Sequence, residues 1–111
     1  MPDTNPPYDQ IPLFPNMKPE RPAGYYKATY SKLLKPHQDI VEKVVRMLQK
    51  AIQIGHIELN AKAIAKVVVD YVGDYRSDLY KINNNNRNNP DNQLSEGDVI
   101  GYVLYRYHES K

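Results

Sequence analysis

Prolines are concentrated at one end of this chain, and they limit where a fold can begin. Seven of the nine prolines lie within the first 22 of the 111 residues. Each proline fixes its own φ, removes a backbone donor and pushes the preceding residue towards extended geometry. We therefore predict an extended, proline-rich arm over residues 1–23 and a single small domain over residues 24–111.

The domain that remains is small. Ordering its nearly 90 residues costs on the order of 1.5 kcal/mol each, so its core is stable only if the apolar stripes are almost fully covered. Self-association would supply part of that cover, and so would a protein partner. A homo-oligomer is therefore among the expectations.

Several classes of protein are excluded by composition. The chain has no cysteine, so it can form neither a disulfide framework nor a thiolate metal site. No apolar run approaches the roughly 18 residues needed to span a bilayer, and the start "MPDTNPPYDQ" lacks the features of a signal peptide. We expect a cytoplasmic protein without a membrane partner.

An amphipathic stripe predicts the first main helix, from about Pro36 to Ile54. Its apolar residues recur at steps of three and four. They are Ile40, Val41, Val44, Val45, Leu48, Ala51 and Ile52. Pro36 suits a first helical turn, and Gly55 is well placed to end the helix.

A second stripe predicts another helix over residues 60–82, with Asn60 as its N-cap. The stripe consists of Ala61, Ile64, Val67, Val68, Tyr71, Val72, Tyr75, Leu79 and Ile82. Gly73 could break this helix, but the stripe continues across it in phase. One long helix is therefore favoured over two short ones.

The rest of the domain favours extended structure. "YYKATYSKLL" is interpreted as a short strand or an extended lead-in, and "HIEL" as a very short strand. "NNNNRNNPDNQLSEGD" has the composition of a mobile loop, and the β-branched and aromatic "VIGYVLYRYHESK" predicts a strand. The predicted fold class is α+β, with two main helices and a short β-strand element.

No catalytic or metal-binding signature is apparent. His37, His56 and His108 lack the spacing that places two ligands on one helix face, so each is interpreted as an ordinary surface or strand residue. The chain also lacks a Gly-rich phosphate loop, a serine elbow and a cysteine nucleophile. We expect no enzyme, no metal and no cofactor.

Three acids, Asp70, Asp74 and Asp78, fall four residues apart on one face of the predicted second helix. Carboxylates in such a row are about 6 Å apart along the axis, too far to share one cation without other ligands. The row is interpreted as a solvated face or as a patch for a basic partner.

Positive charge is concentrated in the first half of the domain. Residues 25–54 contain six Lys or Arg side chains against two acids, whereas residues 55–82 balance four against four. This asymmetry predicts an anion-binding face in the first half. The candidate phosphate contacts are Tyr25, Lys27, Lys32, Lys35, Lys43, Arg46 and Lys50. Exposed tyrosines could also stack on bases, or they could pack on the helices.

The order of these elements, and above all "IELNAKAIAK", resembles the winged helix-turn-helix class of DNA-binding modules. The resemblance implies that Arg76, Lys81 and Arg87 lie near the bases. Gly73 comes eight residues after Ala65, whereas a glycine usually follows after about three in that class. A helical hairpin with a long second helix is the alternative.

The arm contains "QIPLF", Gln10 to Phe14, which resembles the pentapeptide that docks bacterial proteins on the DNA polymerase sliding clamp. The resemblance implies that Leu13 and Phe14 enter an apolar pocket while Gln10 sets the register by hydrogen bonds. Alternatively, Ile11, Leu13 and Phe14 pack back onto the domain.

Together these features predict a non-catalytic nucleic-acid-binding protein, with DNA as the first candidate. It would be an accessory or regulatory factor in replication or transcription of a prokaryote, phage or plasmid. The alternative is an adaptor that docks a protein partner through its arm and its acidic helix face. The first prediction requires that Lys43, Arg46 and Lys50 stay open to solvent instead of pairing with the acidic row.

Overall fold

The computed structural model describes residues 19–110. Its five helices are α1 (Ala23–Thr29), α2 (Lys35–Gln53), α3 (Ala61–Asp74), α4 (Arg76–Asn85) and α5 (Glu96–Glu109). Short 3₁₀ helices occupy Tyr30–Lys32 and Pro90–Asn92. There is no strand among residues 19–110, so the predicted α+β class is wrong and the domain has no wing.

The predicted first helix is confirmed as α2. Gly55 ends it with a φ of 78°, a left-handed conformation that glycine adopts without steric cost. The His56 N–H donates to the Ala51 carbonyl at 2.8 Å, and the Gly55 N–H donates to the Ile52 carbonyl at 3.1 Å. These two bonds satisfy carbonyls that the helix itself cannot pair.

The second stripe forms two helices instead of one. Asn60 caps α3 as predicted, its side chain accepting from the Ala63 N–H at 2.8 Å. The helix stops at Asp74, and α4 starts after Tyr75, whose φ of −104° and ψ of 12° are not helical. The prediction of a single long helix was wrong. The helix breaks at Tyr75, two residues after Gly73, although the apolar stripe continues in phase across the break.

The segment predicted as the final strand is helix α5. Its N-cap is Ser95, whose hydroxyl accepts from the Asp98 N–H at 3.1 Å. The buried residues of α5 are Gly97, Val99, Ile100, Gly101, Tyr102, Val103 and Tyr107. A helix enclosed on all sides is apolar all round, so its sequence has no one-sided stripe and resembles a buried strand.

Helix α5 lies at the centre of the fold and packs against α1, α2 and α3. The "YYKATY" segment that was predicted as a strand or lead-in is instead α1 with the following 3₁₀ helix. Its Tyr26 is 2% exposed, and the ring lies directly against Gly101. "HIEL" is an irregular connection between α2 and α3.

A partly buried polar cluster joins α2, α4 and the segment that leads into α5. The Asn83 amide donates to the Leu94 carbonyl at 2.8 Å, and its oxygen accepts from the Leu94 N–H at 3.1 Å. The same oxygen lies 3.1 Å from Nε2 of His37, which is 1% exposed. Asn83 to Asn85 thus belong to α4, not to a loop, and His37 is a core residue, not a surface one.

In the described part of the chain, no helix combines the length and the apolar character needed to cross a membrane.

Candidate anion-binding surface

The outward side of α2 carries a row of three cations. Lys43, Arg46 and Lys50 are all exposed, and their spacing of three and four residues places them on one helix face. The opposite side of α2 is buried in the core through residues such as Val44 and Leu48. We call the three cations the α2 cationic face.

No acidic side chain among residues 19–110 forms a salt bridge with this face, although the charges of Lys43 and Arg46 lower the pKa of Asp39, and the charge of Arg46 lowers that of Glu42. The salt bridges among residues 19–110 are Lys35–Asp39, Arg76–Glu96 and Arg106–Glu42. None of them includes a member of the α2 cationic face or of the acidic row at Asp70, Asp74 and Asp78. The nucleic-acid prediction required that the three cations stay open to solvent instead of pairing with the acidic row. Within residues 19–110 this requirement is met.

Asp39 lies at the N-terminal end of the cationic face. Lys35 Nζ donates to Asp39 Oδ1 at 2.8 Å, and both side chains are largely exposed. This hydrogen bond is the main cause that lowers the pKa of the Asp39 carboxyl, and the positive charges of Lys43 and Arg46 lower it further. Because exposed ion pairs are weak and exchange readily with solvent, Lys35 remains able to contact another anion.

Arg76 was predicted to lie near the bases, but the structure uses it to join two helices. Its Nε donates to Glu96 Oε2 at 2.6 Å and its Nη2 to Glu96 Oε1 at 3.0 Å. This two-point contact ties the start of α4 to the start of α5. Arg76 is therefore part of an internal ion pair and does not belong to the α2 cationic face.

A second internal ion pair joins Glu42 on α2 to Arg106 on α5, and the Tyr30 hydroxyl also contacts Glu42. Arg106 Nε and the Tyr30 hydroxyl both donate to Glu42 Oε2, each at 2.7 Å. Burial is the largest single influence and opposes ionisation of Glu42, but the hydrogen bonds from Arg106 and Tyr30, together with the positive charges of Arg106 and Arg46, lower the pKa of the carboxyl. No local sequence pattern indicates either ion pair, since Arg76 and Glu96 are 20 positions apart and Arg106 and Glu42 are 64 apart.

The other predicted phosphate contacts lie on separate elements. Lys27 is exposed on α1 and Lys32 on the following 3₁₀ helix, whereas Lys81 and Arg87 are exposed on α4 and just after it. Tyr25 is 39% exposed, and the Arg21 guanidinium lies 4.9 Å from the centre of its ring. The α2 cationic face is the one place where helical geometry puts three of the predicted residues in a row.

Tyr25 and Tyr80 are exposed, but the other rings proposed for base stacking offer little surface. Tyr26, Tyr102 and Tyr107 are buried, and Tyr30 and Tyr105 are half-buried. The Tyr26 and Tyr102 rings meet edge to face with centres 4.8 Å apart. Burial in the core, the alternative that the sequence left open, accounts for these rings.

The three aspartates do not share one helix. Asp70 and Asp74 are exposed on α3, whereas Asp78 is exposed on α4, beyond the break at Tyr75. Within residues 19–110, no three His, Asp or Glu side chains are grouped so that they could hold a metal ion. The predicted partner-binding residues Gln10, Ile11, Leu13 and Phe14 lie outside the described residues.

No protein-family model, curated protein or solved structure matches this chain. The assignment of the α2 cationic face therefore depends on its own geometry. A straight row of cations on a rigid helix suits a linear polyanion, since a compact anion would need donors that converge on one point.

Proposed function

We propose that this chain is a non-catalytic nucleic-acid-binding protein, with DNA as the first candidate, and that the α2 cationic face contacts the phosphate backbone. One observation carries the proposal: Lys43, Arg46 and Lys50 are exposed on one helix face and form no salt bridge among the described residues. An accessory or regulatory role in replication or transcription, in the cytoplasm of a prokaryotic cell, belongs to the same proposal.

The length of the face suits a nucleic-acid backbone. From Lys43 to Lys50 the α2 axis rises about 10 Å, and from Lys35 to Lys50 it rises about 22 Å. One strand of duplex DNA carries a phosphate about every 3.4 Å of its axis, so three cations can be matched by three phosphates. Contacts of this kind set affinity and position but do not read the base sequence.

The proposal is tested by fluorescence anisotropy with a labelled duplex and a labelled single strand at several salt concentrations. Binding should weaken linearly on a log-log plot, because each phosphate contact releases about 0.9 counterions from duplex DNA. Replacing all three cations by glutamine should reduce the slope of that plot by about 2 to 3. Undetectable binding at low salt, or binding that salt does not weaken, would refute the proposal.

A pair of variants with the same change in charge makes the test specific to α2. Lys43→Gln with Lys50→Gln removes two charges from the cationic face. Lys62→Gln with Lys66→Gln removes two exposed charges from α3. The α2 pair should lower affinity several-fold more than the α3 pair. Equal losses would mean that only net charge matters and that the α2 face is not the site.

Binding to a protein is the second candidate, and exposed aliphatic side chains favour it. Ile54 is 61% exposed and Leu59 is 71% exposed, both on the connection between α2 and α3. A pull-down from cell lysate, run with and without nuclease, separates the two functions. Co-purifying proteins that remain after nuclease treatment and are lost in the Ile54→Ser, Leu59→Ser variant would favour this candidate.

A further inference from the structure

A groove between α1 and α5 lies where the described chain begins. It is mainly apolar and has a volume of about 380 Å³. Its floor and walls include Ala23, Gly101, Leu104 and Tyr105, with His108 at the rim. Pro19, the first residue that the structure describes, is itself part of the lining.

Tyr26 holds the backbone at residues 20–21 in place beside this groove. Its hydroxyl accepts from the backbone N–H groups of Glu20 and Arg21, at 3.0 and 3.1 Å, and donates to Asp98 Oδ1 at 2.8 Å. Burial, together with the hydrogen bond to Asp98, raises the pKa of Tyr26 to about 12, so the hydroxyl keeps the proton that it donates. The backbone at residues 20–21 is thereby anchored to α5.

The sequence just before Pro19 supplies apolar side chains that match the groove. "QIPLF" ends at Phe14, the single phenylalanine of the chain, five residues before Pro19. An extended chain covers about 3.4 Å per residue, so Phe14 can reach any point within about 17 Å of Pro19. Pro15, the one proline between Phe14 and Pro19, restricts the free chain and so reduces the entropy lost when it docks.

We propose that the α1–α5 groove is an intramolecular docking site for the apolar side chains of residues 11–14, with Leu13 and Phe14 as its principal occupants. A protein that recognises the same pentapeptide then has to displace it from the groove. Only molecules with an undocked arm can bind such a partner. The apparent association constant of the arm is therefore the intrinsic constant multiplied by the undocked fraction. This inference does not depend on nucleic-acid binding.

A single tryptophan substitution tests the proposal in the 111-residue chain. The protein has ten tyrosines but no tryptophan, so selective excitation of tryptophan in Phe14→Trp gives a signal from that position alone. We expect the emission of the folded variant to be blue-shifted relative to the urea-unfolded protein. The shift should be the same over a wide range of protein concentration, because docking is intramolecular.

Two further substitutions, made in the Phe14→Trp background, localise the signal. Ala23→Asp puts a carboxylate in the groove, and Ala61→Asp puts one at the equivalent first position of α3, outside the groove. Both helices lack an acid in the first turn, so an aspartate there favours each of them. Ala23→Asp should shift the emission to the red, whereas Ala61→Asp should leave it unchanged.

Three results would overturn the proposal. The first is emission typical of a solvent-exposed indole in the folded Phe14→Trp protein. The second is a blue shift that appears only as concentration rises, which would mean that two copies exchange their arms. The third is an Ala23→Asp variant that keeps its helical circular dichroism and retains the full blue shift.

Discussion

Helices α2 and α5 both contribute to the core, but they differ in how much of their surface remains open. Helix α2 buries Val41, Val44 and Leu48 and leaves the opposite face to water. Helix α5 buries every residue from Val99 to Val103, including Gly101 and the Tyr102 ring. One helix is half solvent-exposed, and the other is enclosed by its neighbours over that stretch.

This difference separates stability from function. A side chain on the enclosed part of α5 has neighbours in every direction, so a substitution there changes packing. The cations on the outward side of α2 are exposed and form no salt bridge with the rest of residues 19–110. We therefore expect substitutions in α5 to alter the free energy of unfolding, and substitutions on the outer side of α2 to alter binding instead.

The largest effect is expected for Gly101→Ala in α5. A Cβ at this position would overlap the ring of Tyr26, which is itself buried and held by three hydrogen bonds through its hydroxyl. Moving that ring should lower the free energy of unfolding by about 3 kcal/mol, despite the better helix propensity of alanine. Urea denaturation followed by circular dichroism measures the change.

Gly73→Ala in α3 is the matched control. A Cβ there would meet only the end of the Arg76 side chain, at an ordinary contact distance of 3.6 Å. Because alanine favours the helix by roughly 1 kcal/mol over glycine, this variant should be equally stable or more stable. If both variants lost the same stability, close packing at Gly101 would not be the cause.

The next largest effect concerns Asn83, which joins the buried side of α2 to the segment before α5. Asn83→Ala removes both hydrogen bonds to the Leu94 backbone and the contact with His37. Leaving these buried groups unpaired should cost about 2 kcal/mol, measured by urea denaturation. Asn84→Ala, at the exposed neighbouring position, should change stability by less than about 0.5 kcal/mol.

Protonation of His37 is expected to have a smaller effect on the free energy of unfolding, and this effect depends on pH. Burial lowers the pKa of this imidazole, and the hydrogen bond with Asn83 only partly opposes it. The unfolded chain therefore binds the proton more tightly than the folded protein. The contribution of His37 to the free energy of unfolding should be fully present above about pH 6.5. Below that pH it should fall, by at most about 1.4 kcal/mol per pH unit.

Unfolding free energies measured between about pH 5 and 8 test this expectation. His37→Gln provides the comparison, because it keeps a side-chain amide donor but cannot titrate. The variant is expected to be less stable throughout, with a weaker dependence on pH below 6.5. Equal slopes for both proteins would show that His37 does not cause the loss.

The same difference in burial between α2 and α5 decided which of the two helices could be predicted from the sequence. Helix α2 has a one-sided apolar stripe, and Pro36 and Gly55 lie at its ends. The periodicity and the start and stop signals therefore indicate the same helix. Helix α5 has apolar residues on all sides, and its β-branched and aromatic composition favoured a strand. Its capping pattern, Ser95 followed by Asp98, was present in the sequence and was the signal that could have identified a helix.

The candidate surface was predictable to a similar extent. The row of Lys43, Arg46 and Lys50 follows from helical spacing alone, once α2 is recognised. The pairing of Arg76 with Glu96 depends on how α4 packs near α5, which no local pattern specifies. For the same reason, the sequence could not show whether the row would be neutralised by another part of the fold.

The smallest effect on stability is expected where the effect on binding is largest. Replacing Lys43, Arg46 and Lys50 together by alanine removes three exposed cations that form no ion pair within residues 19–110. Alanine has the higher helix propensity, and Lys50 gives up only a weak interaction with the C-terminal end of the α2 dipole. The free energy of unfolding should therefore change by less than about 1 kcal/mol. Val44→Ala, on the buried side of the same helix, should lower it by more. A larger loss in the triple variant than in Val44→Ala would mean that the cations hold the fold together, and the α2 cationic face would then resemble the internal pairs of Arg76 and Arg106.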